Sequence, residues 1–551
     1  MKAVCLFFLA SVLLPLGLCG QVTDLVKPEG IKTTLHQNNL GRVFFTQKYI
    51  PNAALKEADF LQSYTLTNKS NLFFTAFLGN SLTNYLHRLQ PDLTADSLVK
   101  IGNYQFTLFI DGNQIYQSNL WPGAPQARMQ DTAMVLNRPL LDNEKGGGSW
   151  SESFWNRFLY NGGDAALSDG KHLLRMEIRP YVKSAELKVG DIIAAGDLAL
   201  EVLRHPKIDV STVSLTKVLP YKDLLVSKEP FDQNKIKELK GNIDEGVFKK
   251  ISSVVVIKNG KLLIEEYFNG KNRNSLHDTR SVGKSFASTM CGIAIRDGYL
   301  KDENQTLKDF YQLESFANFS LPKANTSIRE LLTMSSGFAG NDNDDQSPGN
   351  EENMYPTSDW VKFALDLPFD PNKPSGEWRY FTAGVVLLGD MLNKQVKGGL
   401  EAYAAERLFK PLGITNYLWQ YTPQQVPNTA GGIQMNALDF AKYGLLYKNG
   451  GQWNKQQIIP KVWVDKSFSK QKQIPERDRE FYGYLFWNKS FQVNGKAYEA
   501  FYCAGNGGNY ILVFKDLPLV IVVTATAYGM PYAHPQVAKM LSEYILPAVV
   551  K

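Results

Sequence analysis

Up to about residue 208, hydrophobic and polar positions alternate along much of the chain. The clearest example runs from Gln105 to Tyr116 around an Asp111-Gly112 pair, a pattern typical of a β-hairpin. Further alternation extends from Ala185 to Val202. Because a period of two places every second side chain on one face of a sheet, the pattern predicts a β-rich domain over residues 21–208. We expect it to be β-sandwich-like.

The pattern changes after residue 230. A second hairpin is predicted from Val254 to Ile264, and apolar residues then recur at helical spacing from near Ser281 to about Phe468. Strand-like runs return between Tyr482 and Thr524, and a last amphipathic stretch follows them. This order predicts an α/β domain over residues 231–551, in which helices flank an antiparallel sheet and form a helical subdomain.

Length and composition agree with this division. The 551 residues suggest two to four domains, and 44% hydrophobic with 21% charged residues is ordinary for a soluble globular protein. Residues 209–230 are predicted to form a linker between the two domains. The net charge of +6 is slight for a chain of this size, so it indicates no nucleic-acid partner.

The first twenty residues have the pattern of a secretory signal. Lys2 precedes an apolar run from Ala3 to Leu18, and Cys19-Gly20 leads into polar sequence. We therefore expect export to the periplasm or beyond. Lipid anchoring at Cys19 is a less favoured alternative, because Leu18 is bulkier than such sites usually accept. The run is short for a membrane span, and no later window approaches a transmembrane segment.

Histidine and cysteine are scarce, which restricts the chemistry. Without the signal only Cys291 and Cys503 remain, too few for a disulfide framework. Neither CxxC nor HExxH occurs, so no metal and no cofactor is predicted. In the second half the only histidines are His277 and His534. We expect both at the surface, so a nucleophile there would need a base other than histidine.

A loop-rich stretch from Glu144 to Asp164 combines Gly146-Gly147-Gly148 with Trp150, Trp155 and Tyr160. Aromatic side chains beside glycines can form a carbohydrate-binding platform, although they are more often core and turn residues. A glycan or peptide ligand of the N-terminal domain therefore stays an open alternative.

Ser281 and Lys284 offer a nucleophile with a lysine base. Positions i and i+3 of a helix share a face, so the amine can reach the serine hydroxyl. An amine removed from water holds its proton less tightly and can then accept the serine proton. The same spacing also begins at other serines: Ser97, Ser168, Ser214, Ser320, Ser467 and Ser469. Only at Ser281 does a helix with a core-facing apolar pattern follow.

Two further segments carry candidate site residues. Tyr380 and Thr382 lie where a Pro/Gly turn leads into an apolar helix, and a tyrosine hydroxyl beside a protonated lysine is expected to have a lowered pKa. Cys503 to Asn509 contains three glycines ahead of a strand. Glycines at a strand edge let backbone N–H groups approach a ligand, and with the N–H of Ser281 one of them would form an oxyanion hole.

The three segments together resemble the penicillin-recognising serine hydrolases, within the branch of class C β-lactamases, serine esterases and 6-aminohexanoate-dimer hydrolases. The resemblance covers roughly residues 251–547. Supporting segments, in chain order, are Ile328–Gly337, Lys410–Ile414, Gly431-Gly432 ahead of Asp439, and Tyr482–Tyr484. The resemblance implies a β-lactamase-like fold, with Ser281 as the acylated nucleophile, Lys284 as its base and Tyr380 as the residue that passes a proton to the leaving group.

Two departures from the family pattern affect the expected substrate. Thr382 stands where asparagine or serine is usual, and Cys503-Ala504-Gly505 takes the place of Lys-Thr-Gly. In this register Asn506 supplies the second oxyanion donor beside Gly505; a shifted register would use Gly508. Without the motif lysine, a cationic contact to a β-lactam carboxylate is missing. Both departures favour an ester or amide substrate.

The acidic run from Asp342 to Asp345, with Glu351 and Glu352 nearby, is typical of a solvated loop. Because the resemblance places this insertion at the border of the cleft, recognition of an amine-bearing substrate is the alternative.

The sequence therefore predicts an exported serine hydrolase that acts on a small-molecule ester or amide through an acyl-enzyme. One alternative keeps the fold and has β-lactamase or DD-peptidase-like activity. The other is a non-catalytic protein that binds a glycan or peptide.

Overall fold

The computed structural model describes residues 23–123, 127–143, 150–370 and 376–550. The predicted signal with Cys19, the three consecutive glycines Gly146–Gly148 and the start of the Pro/Gly turn before Tyr380 lie outside the described residues. The chain divides into two compact units, Met1–Arg204 and His205–Lys551. In the described part of the chain, no helix is both long and apolar enough to cross a membrane.

The first unit contains nine described strands and six described α-helices. Strands β1 to β9 are Arg42–Thr46, Ser63–Thr67, Leu72–Phe77, Gly102–Ile110, Asn113–Asn119, Val135–Leu141, Gly170–Lys183, Leu187–Val189 and Ala194–Leu203. Helices α1 to α6 are Thr34–Asn38, Leu82–Leu89, Ala95–Ile101, Ala127–Thr132, Trp150–Phe158 and Asp164–Ala166.

The β-rich prediction for this unit is confirmed, and its described strands join one mixed sheet in the order β5-β4-β7-β9-β1-β3-β6. Strand β9 pairs antiparallel with β7 and parallel with β1 and β2. The alternation does not distinguish a second sheet from helices as the covering layer. Here helices supply that layer, since Phe154, Trp155 and Phe158 of α5 join the apolar core of the sheet.

Trp155 and Tyr160 do not together form the aromatic platform that was considered for residues 144–164. Trp155 is 1% exposed in the core, whereas Tyr160 is 66% exposed. Trp155 therefore has the structural role that such residues usually have.

The second unit contains thirteen described strands and twelve described α-helices. Strands β10 to β22 are Ile251–Lys258, Lys261–Tyr267, His277–Asp278, Tyr417–Trp419, Ile433–Met435, Gln452–Trp453, Gln456–Gln457, Lys472–Gln473, Phe481–Tyr482, Trp487–Val493, Lys496–Gly505, Asn509–Phe514 and Leu519–Ala525. Helices α7 to α18 are Gln233–Asp244, Gly283–Arg296, Leu321–Ala324, Ile328–Leu332, Glu351–Met354, Trp360–Asp366, Thr382–Gln395, Gly399–Ala404, Ala437–Lys448, Lys461–Ser467, Ala533–Met540 and Leu546–Val549.

The predicted antiparallel sheet flanked by helices is confirmed. Eight strands follow the order β11-β10-β22-β21-β20-β19-β18-β17. Its central strands are apolar runs because both faces are covered. In β22, Val520 and Val522 face the core that contains α8, while Leu519, Ile521 and Val523 face the core that contains α7 and α17.

Residues 209–230 belong to the second unit, where the sequence predicted a linker. Leu224 is buried in its core, and Asp223 forms an ion pair with Lys442 at 2.9 Å. The sequence of this segment has no apolar periodicity from which its packing could be predicted, because the contacts named here come from single side chains.

Candidate active site

Ser281 lies in a tight turn at the start of the central helix of the second unit. It belongs to the 3-10 turn Arg280–Val282, and α8 begins two residues later at Gly283. Arg280 has a φ of 52°, in the left-handed region that costs a non-glycine residue energy. Every side chain of α8 from Gly283 to Ala294 is buried, so the turn is attached to a rigid element.

Two glycines allow neighbouring strands to close around this turn. A methyl group on Gly505, at the end of β20, would lie 1.8 Å from the Thr279 carbonyl oxygen and 3.1 Å from the Ser281 nitrogen. A methyl group on Gly431 would lie 2.9 Å from the carbonyl carbon of Arg280. Only glycine permits this approach, so the Ser281 backbone is held between the two segments.

The Ser281–Lys284 pair predicted from the sequence is brought together. Lys284 is 2% exposed, and its Nζ lies 2.8 Å from Ser281 Oγ. The amine also donates to the Ala430 carbonyl oxygen at 2.6 Å. These contacts fix the amine against the serine hydroxyl inside the protein.

Tyr380 completes this group. Tyr380 lines the same cleft as Ser281, and Lys284 Nζ lies 5.2 Å from the centre of its ring. The expected lowering of its pKa is wrong: burial raises the pKa of Tyr380, and the charge of Lys284 opposes this only in part. The hydroxyl therefore keeps its proton at neutral pH.

Thr382, a predicted substrate-binding residue, is 0% exposed. Its neighbour Asp342 lines the cleft. The Thr382 backbone N–H donates to Asp342 Oδ2 at 2.7 Å, and the Asp342 N–H donates to the Tyr380 carbonyl oxygen at 2.8 Å. Asp342 Oδ1 accepts from the Glu351 N–H at 2.9 Å. Burial raises the pKa of Asp342 to about 6. The sequence predicted a solvated acidic run here, with a position at the border of the cleft as the alternative that the resemblance implied.

In the predicted segment from Cys503 to Asn509, the residues from Ala504 to Asn506 lie beside Ser281. Ala504, Gly505 and Asn506 line the same cleft as Ser281. Cys503 is buried in the core, and burial raises the pKa of its thiol to about 12. A methyl group on Gly508 would face the Ala533 carbonyl oxygen at 2.7 Å, so this glycine packs toward α17.

Ser281 opens into a cleft of about 380 Å³. Asp342 and Glu351 supply acidic groups, and Arg477 and Lys489 supply basic ones. Trp487 also lines the cleft and stacks on Tyr380, with ring centres 5.6 Å apart. The sequence did not predict Arg477, Lys489 or Trp487 as site residues. For Trp487 and Lys489, the sequence indicated only that strands follow Tyr482. It did not show that they line the cleft, because separate loops and strands bring the lining side chains together.

Of His277 and His534, which the sequence predicted at the surface, only His534 lies there. His277 is buried, lies 3.2 Å from Thr524 Oγ1 through Nδ1, and has its pKa lowered to about 4 by burial. His534 is exposed at the cleft and lies 2.7 Å from the Tyr510 hydroxyl. Within the described ranges, no three His, Cys, Asp or Glu side chains cluster as a metal site would require.

An antiparallel sheet with flanking helices, and a serine beside a buried lysine at the start of the central helix, define a serine hydrolase type of domain. The family model described as Beta-lactamase matches residues 242–540, just over half of the chain. The chain belongs to the Beta-lactamase family, and the resemblance drawn from the sequence is confirmed.

The chain is similar to solved structures, among them the following three. The octameric penicillin-binding protein homologue from Pyrococcus abyssi is 19% identical, with 56% of this chain and 76% of that chain covered and a TM-score of 0.44. EstCE1, a hydrolase with promiscuous acyltransferase activity, is 16% identical, with 56% and 99% covered and a TM-score of 0.45. A family VIII carboxylesterase is 16% identical, with 57% and 97% covered and a TM-score of 0.44. No curated protein matches the chain.

Proposed function

We propose that the protein is an exported serine hydrolase that cleaves an ester or amide bond through an acyl-enzyme on Ser281. One observation carries the proposal: the buried Lys284 amine lies 2.8 Å from Ser281 Oγ. In a domain of this family, that contact pairs a nucleophile with a base.

The reaction uses two proton carriers. Lys284 accepts the Ser281 hydroxyl proton as Oγ attacks the carbonyl carbon, and the negative charge that develops on the carbonyl oxygen is met by the N–H groups of Ser281 and Asn506. Tyr380 keeps its proton and lines the cleft beside Ser281, so it can donate to the leaving group and recover a proton from Lys284. Water then releases the acyl group by the same steps.

Export is supported by the sequence pattern of residues 1–20. We expect the mature chain to begin near Gln21. Amino-terminal sequencing of the protein from its native cell would test this, and a mature chain that retains the apolar run from Ala3 would contradict it.

A β-lactam or cell-wall peptide is the second candidate substrate. The motif lysine is replaced by the buried Cys503, but Arg477 and Lys489 line the cleft from other segments. Either cation could bind a substrate carboxylate, and this supports a β-lactam or cell-wall peptide as the second candidate substrate.

The test uses the purified protein with a fluorophosphonate and, in parallel, with a labelled penicillin, followed by mapping of each adduct. Labelling of Ser281 by the fluorophosphonate alone supports the ester or amide reading, and labelling by both supports the second candidate. Ser281→Ala is the control and should remove either adduct. If neither reagent labels the wild type and Ser281→Ala equals the wild type in every hydrolytic assay, the protein is not a serine hydrolase.

A further inference from the structure

Asn509 is a completely buried polar residue at the first position of β21. Its exposed fraction is 0%, and the five residues that follow it in the strand are hydrophobic and buried. A buried amide costs free energy unless its polar atoms are hydrogen-bonded. The partners of the Asn509 side chain therefore indicate what this residue does.

The Asn509 side chain connects two backbone segments. Its Nδ2 donates to the Asn506 carbonyl oxygen at 2.8 Å, and its Oδ1 accepts from the Ala525 N–H at 3.0 Å. A rotated amide would place oxygen against oxygen and nitrogen against nitrogen, so the two contacts assign its orientation. Asn509 thus joins the turn after β20 to the end of β22.

The turn that Asn509 holds is rich in glycine. Gly507 and Gly508 have φ angles of 93° and 90°, and glycine restricts the backbone less than any other residue. Two adjacent glycines by themselves therefore leave the turn many conformations of similar energy. A buried side chain that binds the Asn506 carbonyl oxygen selects one of them.

The peptide that joins Gly505 to Asn506 is fixed on both sides. Before it, Gly505 packs so closely on Thr279 that a methyl group would lie 1.8 Å from the Thr279 carbonyl oxygen. After it, the Asn506 carbonyl oxygen is held by Asn509, and Asn506 Oδ1 accepts from the Gly529 N–H at 2.9 Å. Because Asn506 lines the cleft, these contacts determine where its backbone N–H points.

We propose that Asn509 is a positioning residue for the oxyanion hole: its side chain orients the Asn506 N–H toward the substrate carbonyl oxygen. The inference rests on the proposed function, in which the N–H groups of Ser281 and Asn506 stabilise the developing negative charge. Because Asn509 is 0% exposed, it acts through Asn506 and does not touch the substrate.

The test compares an ester with its thiono analogue. Sulfur accepts hydrogen bonds more weakly than oxygen, so an oxyanion hole accelerates attack on C=O more than attack on C=S. Release of 4-nitrophenol measures the acylation of the full chain by 4-nitrophenyl acetate and by 4-nitrophenyl thionoacetate. In Asn509→Ala we expect the rate with the ester to fall about 100-fold, the order of effect of one lost oxyanion donor. The rate with the thionoester should fall much less.

Asn488 on β19 provides a matched control in the same sheet. It is 1% exposed, and its Nδ2 donates to the Ala500 carbonyl oxygen and to Glu499 Oε1, both at 3.2 Å. Asn488→Ala also removes buried hydrogen bonds, so it should lose stability in thermal unfolding and keep the wild-type ratio of the two rates. Asn509→Leu, which fills the volume that Asn509→Ala leaves empty, should change the ratio as Asn509→Ala does.

Three results would overturn the positioning role and leave the proposed function intact. They are equal fractional losses with both substrates, wild-type rates in both Asn509 variants, and failure of both variants to fold while Asn488→Ala folds. The last would show that Asn509 is needed for the fold itself. A wild type no faster than Ser281→Ala with either substrate would overturn the proposed function and this inference with it.

Discussion

Lys284 is among the largest side chains that the second unit buries completely, and both described partners of its amine are oxygen atoms. A buried amine with one carbonyl acceptor and one hydroxyl neighbour is well placed to exchange a proton with that hydroxyl. In the proposed function, this contact lets a chain with so few histidines activate a serine.

Replacing Lys284 by methionine removes the base and keeps the length of the side chain. We expect the rate of Ser281 acylation by a fluorophosphonate to fall about 100- to 10,000-fold, the usual range for a general base. Labelling kinetics measure this.

Lys323 provides a matched control. It is also buried and lies three residues after a serine, but its Nζ donates to the Ala317 and Leu367 carbonyl oxygens. Lys323→Met should cost stability and leave the labelling rate of the folded protein unchanged. Equal losses in the two variants would contradict the role of Lys284.

Asp342 predicts a pH dependence of activity. Its folded pKa of about 6 lies above the ordinary value, so the carboxylate is charged only above about pH 6. Below that pH a proton occupies one oxygen, and either the Thr382 or the Glu351 N–H loses its acceptor. We expect kcat/KM to fall as pH decreases through about 6, because Tyr380 adjoins these contacts.

In Asp342→Asn, an NH₂ group replaces one carboxylate oxygen at every pH, so the variant imitates the protonated form of Asp342. Its activity should be low near pH 7 to 8, and the change near pH 6 should disappear from its profile. Asp345→Asn, an exposed position in the same acidic run, should keep the wild-type profile. A wild-type profile in Asp342→Asn would refute the prediction.

At the scale of the element, the end of β20 and the turn before α8 are held in contact by the absence of a side chain. Gly505 has no room for a methyl group, since the Thr279 carbonyl oxygen would lie 1.8 Å from it. Backbone atoms cannot move away as a flexible side chain can, so the strand and the turn must separate if any other residue is present.

Gly505→Ala should therefore reduce kcat/KM about 100-fold, the order of effect expected when an oxyanion donor is displaced. Gly495→Ala, in the turn that begins the same strand, has open space around the added methyl group despite its φ of 76°. We expect that control to lose roughly 1 kcal/mol of stability and little activity. Kinetics and thermal unfolding of both variants distinguish a local displacement from general destabilisation.

For the second unit as a whole, the segment 209–230 is part of the folded structure. Asp223 pairs with the fully buried Lys442 at 2.9 Å and accepts from the Trp453 indole N–H at 2.7 Å. These contacts connect the segment to α15 and to β15. The ion pair with Lys442 helps lower the pKa of Asp223 below its ordinary value.

Asp223→Asn should destabilise the second unit by about 1–3 kcal/mol, because it leaves a buried ammonium without its counter-charge. Since the folded pKa of Asp223 is lowered, its contribution is present above the unfolded pKa near 4 and is lost as pH falls through the folded value. The difference between wild type and variant should therefore be full at pH 7 and shrink in strong acid. Denaturant unfolding followed by circular dichroism at both pH values measures it, and a difference that is independent of pH would contradict the ion-pair explanation.

The family, the antiparallel sheet with its helices, and the Ser281–Lys284 pair could all be predicted from the sequence. These features depend on local periodicity and on spacing within one helical turn, which a single segment contains. The Tyr380 and Asn506 segments could also be found, since each combines glycines with a loop–strand or loop–helix junction.

The rest of the cleft is set by tertiary packing. Arg477, Trp487 and Lys489 come from separate segments, and nothing in their local sequence shows that they meet; the hydrogen bonds that hold Asp342 in place also form only in the folded chain. Three other features also could not be predicted from local sequence: the raised pKa of Tyr380, the covering of the first sheet by helices and the packing of residues 209–230. Each depends on what surrounds a residue in the folded chain, because burial and charge act between segments that are distant in sequence.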